Sequence, residues 1–358
     1  MKILHIHAHY PEGIAAHRSR TLAENLSGEH WLATSQEISA ESALPFRLVR
    51  EFPRLSGLPT LGRLQRLAKA MAGFDLVFTY EYDAMNAVMA RMAFSRAFDL
   101  PLLVHHELEE SSPSLKRDWF RRIALEKAAR LVVADEAGER RALGDWQQPI
   151  DRVNVIAHGI ELAPWRKPPK PDFLPNILKR PGEKWIGAHC RFTSEEKLDV
   201  ILRAFAPLTE NWQLVLFGGG PERQSVRKLA ETLEIGHRVH TPGAGTSDGR
   251  ESGLFDIAVM LPGQSELVTR QLHAMASGKS VVACAEGKTA GMLPAASREF
   301  LVDFSDLEEL SIAFATLASD EKLRESLGQA NLEQARKKHS IDDMIAAYRR
   351  LIALFTTR

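Results

Sequence analysis

Short apolar runs alternate with amphipathic stretches along nearly the whole chain. In the first half, "KILHIHA", "HWLATS", "DLVFTY", "LPLLVHHE", "LVVADE" and "VNVIAHGI" read as strands. Between them, "AAHRSRTLAENL", "LGRLQRLAKAMAGF", "AMNAVMARMAFSRAF", "DWFRRIALEKAARL" and "AGERRALGDW" read as helices. Strands that are short and apolar, each followed by a helix, predict a parallel sheet covered on both faces. The alternation stops at "APWRKPPKPDFLPNILKRPGEK", which is rich in Pro and Lys and has no period, as an interdomain linker does. It resumes with strands at "WIGAHC", "WQLVLFGGG", "RVHTPGA", "DIAVML", "SVVACAEG" and "REFLVD". The helix "LVTRQLHAMASG" is closed by Gly278, a suitable C-terminal glycine, and the tail from "DLEELSIAF" onward is helical with breaks. The expectation is an α/β chain of two Rossmann-like doubly wound domains, 1–165 and 185–338, with a linker at 166–184 and a closing helix at 339–358. Ligands of such sheets lie beyond the carboxyl ends of the strands, here expected in the cleft between domains.

Composition narrows the function classes. A chain of 358 residues is long for one core, which agrees with two domains. Lys plus Arg (46) equals Asp plus Glu (46), and such a balance argues against nucleic acid as the main partner. Two cysteines, Cys190 and Cys284, imply neither a disulfide framework nor a cysteine-rich zinc site, and fit a reducing cytoplasm. The opening "MKILHIHAHY" turns polar too soon for a signal peptide. No run approaches the roughly 18–20 apolar residues that span a bilayer.

Several stretches carry candidate chemistry. Arg191 follows a strand and Lys197 opens the next helix, so the pair can hold a diphosphate with help from the helix N-terminus; a solvated turn is the plainer reading. Gly218, Gly219 and Gly220 end a strand before Pro221 and suit either a phosphate loop or a tight turn, but they lack the dinucleotide spacing. His5, His7 and His9 share one face of a strand, yet no carboxylate stands near them in sequence and a metal is not expected. Residues 46–74 carry Arg47, Arg50, Arg54, Arg63, Arg66 and Lys69 among Leu and Phe, which suits either an anionic membrane surface or a helix packed on the sheet.

Taken in order, Arg191, Lys197, "GGGP", "RVHTPG", "FDIAVMLPG" and "LHAMASGKSVV" resemble the donor domain of glycosyltransferase family 4, which has the GT-B fold. The resemblance covers roughly Trp185 to Leu293, is less sharp in the first half, and extends to the closing helix "MIAAYRRLIALF", which in the family crosses back onto the first domain. It implies a retaining, metal-independent transferase using a nucleoside-diphosphate sugar, with no cofactor, in bacterial glycan, glycolipid or cell-surface polysaccharide synthesis. The implied setting is the cytoplasm, at the inner face of the membrane if residues 46–74 dock there. A glycan, lipid-linked or small-molecule acceptor is implied for the first domain. By the same resemblance Gly13 stands in the loop beside the donor phosphate, and His106, favoured over His105, faces the donor sugar. His9, His17 and Arg18 fall on the acceptor side.

The chain departs from the family at its Glu-x7-Glu motif. The second Glu, which binds the ribose hydroxyls, is His273; the first falls on Ser265 or, allowing one deletion, on Glu266, either of which then contacts the sugar. An imidazole lacks the carboxylate's charge and its two-oxygen acceptance, so ribose binding is expected to weaken by about 1–3 kcal/mol without compensation. Two other readings stay open: a family-like binding or scaffolding protein that has lost catalysis, and a nucleotide-sugar epimerase on the same fold.

Overall fold

The computed structural model describes residues 1–10, 13–36, 44–108, 114–128, 130–165, 167–246, 249–262, 267–285 and 290–356. They form two compact units, Met1–Gly159 together with Ile341–Arg358, and Ile160–Ser340.

The first unit begins β1 (Lys2–His7), α1 (Gly13–Asn25), β2 (Glu29–Thr34), β3 (Arg47–Leu48), α2 (Leu61–Met71) and β4 (Leu76–Tyr80). It continues α3 (Met85–Phe94), β5 (Leu102–Glu107), α4 (Leu115–Ala124), β6 (Arg130–Val133), α5 (Glu136–Gly144) and β7 (Val153–Val155). The sheet order is β3-β2-β1-β4-β5-β6-β7, with every adjacent pair parallel. Strands β4 and β1 are buried almost throughout, with Thr79, His5 and His7 the polar side chains taken inside, as a sheet covered on two sides requires. Helix α2 shows the periodicity that made it legible: Leu64, Leu67, Ala68 and Met71 are buried at helical spacing, each large side chain contributing about 1.5–3 kcal/mol.

The second unit runs β8 (Lys184–Cys190), α6 (Leu198–Phe205), β9 (Trp212–Gly218), α7 (Arg223–Thr232), β10 (Val239–Gly243) and β11 (Ile257–Met260). Then come α8 (Leu267–Ala276), β12 (Ser280–Cys284), β13 (Leu301–Val302), α9 (Leu307–Ser319) and α10 (Glu321–Lys338). Its order, β10-β9-β8-β11-β12-β13, is again all parallel. Both sheets reverse their strand order once, at β1/β4 and at β8/β11, and such a switch point opens a crevice for ligands. Helix α11 (Ile341–Thr356) joins the first unit, where Tyr348 is fully buried and Arg349 donates to the Asn25 carbonyl at 3.1 Å.

Three expectations change shape. Residues 167–184 are not a free linker: Lys179 donates to the Leu254 carbonyl and pairs with Asp256, both at 2.6 Å, and Leu174 is buried. The prolines remove helical order there without preventing packing. Residues 46–74 are not one amphipathic helix, because β3 and an irregular stretch precede α2. "REFLVD" holds only a two-residue strand, the rest being a 3-10 turn. Among the described residues no helix is long and apolar enough to cross a membrane.

Candidate functional site

The end of β8 leads into a loop whose shape is set by one carboxylate. Glu196 is fully buried and accepts from the backbone N–H of Arg191 at 2.8 and 3.1 Å and of Thr193 at 3.2 Å. Phe192 (φ 48°) and Lys197 (φ 53°) are both left-handed, a conformation that costs a non-glycine residue about 1–3 kcal/mol and persists where the surroundings impose it. Phe192 is imposed by burial in the core. Lys197 caps α6, its carbonyl accepting from Val200 at 3.1 Å and Ile201 at 3.2 Å. The consequence is that Arg191 and Lys197 are both exposed on one rigid turn at the switch point.

The glycine run supports this turn rather than standing alone. A Cβ on Gly218 (φ 136°) would lie 1.8 Å from the Cys190 carbonyl oxygen, and one on Gly220 would lie 1.8 Å from that of Arg191. The backbone of Glu222 donates to the Phe192 carbonyl at 2.8 Å. So two of the three glycines are required by loop-on-loop packing, and Gly219, with nothing within 4 Å of its missing Cβ, is the one facing open space.

His273 occupies a different setting from an open ribose contact. It is 8% exposed, its ring stacked on Trp165 at 4.6 Å and 25°. Gly249 (φ 71°) crosses it so closely that a Cβ there would meet Nδ1 at 2.3 Å. Beside it lies a buried charged cluster. Glu251 accepts from the Thr246 N–H at 3.1 Å and from the Thr246 hydroxyl, with His189 Nε2 at 3.3 Å and an Arg270 Nη1 at 3.7 Å. Burial foremost, then Arg270 and His273, push the His189 imidazole well below its ordinary range, so it faces Glu251 neutral. A carboxylate missing from position 273 is thus present in the neighbourhood as Glu251. Sequence reasoning missed Glu251, His189 and Trp165; the one signal was an acidic residue inside the apolar "ESGLFDIAVM". Ser265 and Glu266 lie outside the described residues.

The first-unit candidates are placed mostly inside. His106 is fully buried, its Nδ1 on the Thr79 carbonyl at 3.0 Å and its ring stacked between Tyr80 (4.5 Å) and Tyr348 (5.8 Å); Nε2 has no partner. His105 is equally buried, between Thr79 Oγ1 at 2.8 Å and Glu107 at 3.3 Å, and Glu107 is held by Arg121 at 2.7 and 3.1 Å. Burial alone raises the Glu107 carboxyl; His105 and Arg121 outweigh it and hold the group below its ordinary value. Arg18 does not reach an acceptor surface: it is fully buried and donates to the Ile156 carbonyl at 2.8 Å and the Tyr348 hydroxyl at 3.4 Å. His17 is largely buried against His158 at 5.0 Å, and burial lowers its imidazole. Gly13 opens α1 with φ 86°. His9 lies beyond β1, exposed, 3.6 Å from Asp83, so the three-histidine face does not form. His5 instead meets Tyr80 at 2.9 Å and His30 at 3.0 Å, and among the described residues no group of three or more His, Cys, Asp or Glu gathers to hold a metal.

Residues 170–334 match the family described as glycosyl transferases group 1. The chain is similar to the lipopolysaccharide core biosynthesis glycosyltransferase LpsD of Rhizobium meliloti (strain 1021), 26% identical over 218 residues, covering 61% of this chain and 61% of that one. It is also similar to D-inositol 3-phosphate glycosyltransferase of Mycobacterium marinum, 27% identical over 257 residues, covering 65% of this chain and 52% of that one. The chain therefore spans only between about half and about three fifths of the length of these curated relatives. Among solved structures, Anabaena Alr3699/HepE in complex with UDP superposes with a TM-score of 0.79 at 15% identity, over 99% of this chain and 100% of that one. The two α/β units are those of the GT-B fold.

Proposed function

From the match of residues 170–334 to the glycosyl transferases group 1 family we propose that the protein transfers a sugar from a nucleoside-diphosphate donor to an acceptor with retention at the anomeric carbon. The observation that carries the proposal is the exposed pair Arg191 and Lys197 on the turn that Glu196 fixes at the β8/β11 switch point. As the bond from the anomeric carbon to the leaving oxygen breaks, negative charge grows on the diphosphate. Two fixed cations and the N-terminus of α6 are already in place to receive it, with little reorganisation. Cations of the chain thereby fill the role a divalent ion fills elsewhere, which is the ground for a metal-independent reaction. The acceptor oxygen bonds from the face the leaving group departs, and its proton goes to the departing phosphate oxygen, so no enzyme nucleophile is needed.

UDP stands in the HepE complex, which supports a nucleoside diphosphate for this site. Glu266 or Ser265 is assigned the donor sugar by resemblance alone, and His106, given the same role by resemblance, is fully buried in the first unit. The acceptor belongs to cell-surface glycan or glycolipid synthesis, in keeping with the LpsD likeness. Exposed Leu58 and Leu61 beside Arg54 and Arg66 suit contact with an anionic membrane.

The experiment is a titration of uridine, guanosine and adenosine diphosphates by calorimetry, on the wild type and on Arg191→Ala/Lys197→Ala. The double variant is expected to bind the preferred diphosphate at least about tenfold more weakly. Unchanged affinity would remove the phosphate role of the pair. A second reading, a binding protein without catalysis, is favoured by the burial of His273 under Trp165. Slow hydrolysis of a nucleotide sugar without acceptor decides for the enzyme; diphosphate binding with no turnover decides for the binding protein.

A further inference from the structure

A second concentration of positive charge lies elsewhere in the second unit. A cavity of about 670 Å³ opens beside Trp165, Lys167, Arg250, Lys279 and Arg336. Its four ionisable lining residues, among the described ones, are all cations. Lys279 immediately precedes β12, whereas Arg191 immediately follows β8. Both strands run parallel to β11, between them, so the cavity and the Arg191 turn sit at opposite ends of the sheet.

The cavity is built by backbone packing, not by chance proximity of surface side chains. Helix α8 is followed by a turn at Gly278 (φ 67°), and α10 crosses that turn at Gly328, where a Cβ would stand 2.1 Å from the Gly278 carbonyl oxygen. Asn331, fully buried, donates to the Lys279 carbonyl at 2.8 Å and accepts from the Ser297 hydroxyl at 2.9 Å. The register of α10 is thereby fixed, and Arg336 follows on the helix to reach the cavity. On the other side Arg250 lies over the Phe173 ring at 5.1 Å.

No carboxylate among the described residues forms an ion pair with Lys167, Lys279 or Arg336. The one acid that Lys279 senses, Asp256, is already engaged by Lys179 at 2.6 Å and Lys184 at 3.8 Å. Burial brings the Lys279 ammonium down to about 8, with Lys179 and Lys184 adding to the fall. Collecting like charges in a recess lined by no acid among the described residues is unfavourable to folding unless the charge is offset.

We propose that this cavity binds a phosphate-bearing anion at a site separate from the diphosphate turn. Trp165, which walls the cavity, is also the ring that covers His273, so the anion and His273 share one side chain. The chemistry is that of a phosphorylated metabolite or of a phospholipid headgroup.

The test titrates inorganic phosphate into the full chain by calorimetry, in the wild type, Arg191→Ala/Lys197→Ala and Lys279→Gln/Arg336→Gln. Saturable phosphate binding is expected to survive the first pair and to fall by about tenfold or more in the second. Diphosphate affinity at the turn is expected to change little in the second pair, so failure of the donor assignment and failure of this site give different patterns. Should Lys279→Gln/Arg336→Gln misfold, Lys167→Gln at the exposed rim carries the same test with a smaller loss. Pelleting with phosphatidylglycerol vesicles against phosphatidylcholine vesicles assigns the source. Cavity-dependent pelleting means a headgroup; loss of phosphate binding alone means a soluble ligand; both support the site. Absence of saturable phosphate binding in wild type, or binding unchanged by all cavity substitutions, overturns it.

Discussion

The two units use the same parallel architecture and treat the polar residues at their strand ends in opposite ways. At the end of β5 the charges are turned inward: His105, Glu107 and Arg121 satisfy one another in the dry interior, and His106 stacks between two tyrosines. At the end of β8 the buried carboxylate, Glu196, gives its oxygens to backbone N–H groups, and the cations Arg191 and Lys197 stay exposed. A buried ion network rigidifies and carries a large penalty if one member is lost. A carboxylate holding backbone instead shapes a loop that offers charge to a ligand. The contrast suits the first set to stability and leaves the second open to the phosphate role proposed for it.

The sharpest way to break that contrast is Arg121→Ala. It leaves Glu107, 4% exposed, without its guanidinium, and the expected loss is about 3–5 kcal/mol in urea unfolding, with diphosphate affinity of the folded protein retained. A loss under about 1 kcal/mol would show the network is not structural.

A smaller effect separates the glycines of the second unit. Gly218→Ala forces a Cβ onto the Cys190 carbonyl at φ 136°, and is expected to cost about 1–3 kcal/mol or more and to weaken diphosphate binding through the displaced turn. Gly219→Ala meets open space and should stay within about 0.5 kcal/mol of wild type. Equal damage from both substitutions would mean the turn is not what Gly218 supports.

The gentlest probe is pH. Burial holds the His7 imidazole down at about 3, from 6.5, so the folded chain keeps it neutral where the unfolded chain protonates it. The unfolded state then binds more protons, and stability must fall as pH drops below about 6.5, by about 1.4 kcal/mol per pH unit for each such histidine, until the folded group titrates. His5 and His106 are shifted in the same direction, by burial first. His7→Phe keeps the stacked ring beside Tyr80, 4.1 Å away, and should flatten the slope by one histidine's share. An unchanged slope would place the acid sensitivity elsewhere.

Much of the fold was legible because burial on both faces leaves β4 and β1 mainly apolar and α2 apolar on one stripe. Of the candidate site, Arg191 and Lys197 were legible because a cation just after a strand, and another just before a helix, has few places to go. Arg18 and His106 were not, since a polar residue at a helix start or strand end reads the same whether it faces ligand or is buried by Tyr348 of α11, far along the chain. His273 was identified as the anomaly, but Trp165, far back in the chain, determines its environment.

By itself the sequence determined the alternation of strands and helices, the two-domain plan and the exposed cationic turn, because these depend on local period and on neighbours a few residues apart. Only the tertiary structure decided which charges are spent inside and which are offered. It closed Glu107 onto Arg121, laid Gly218 on Cys190, put Trp165 over His273, and gathered Lys279 and Arg336 around one cavity. Each of those contacts joins residues whose separation along the chain carries no periodic signal, and the cost of burying charge is fixed by what packs around it.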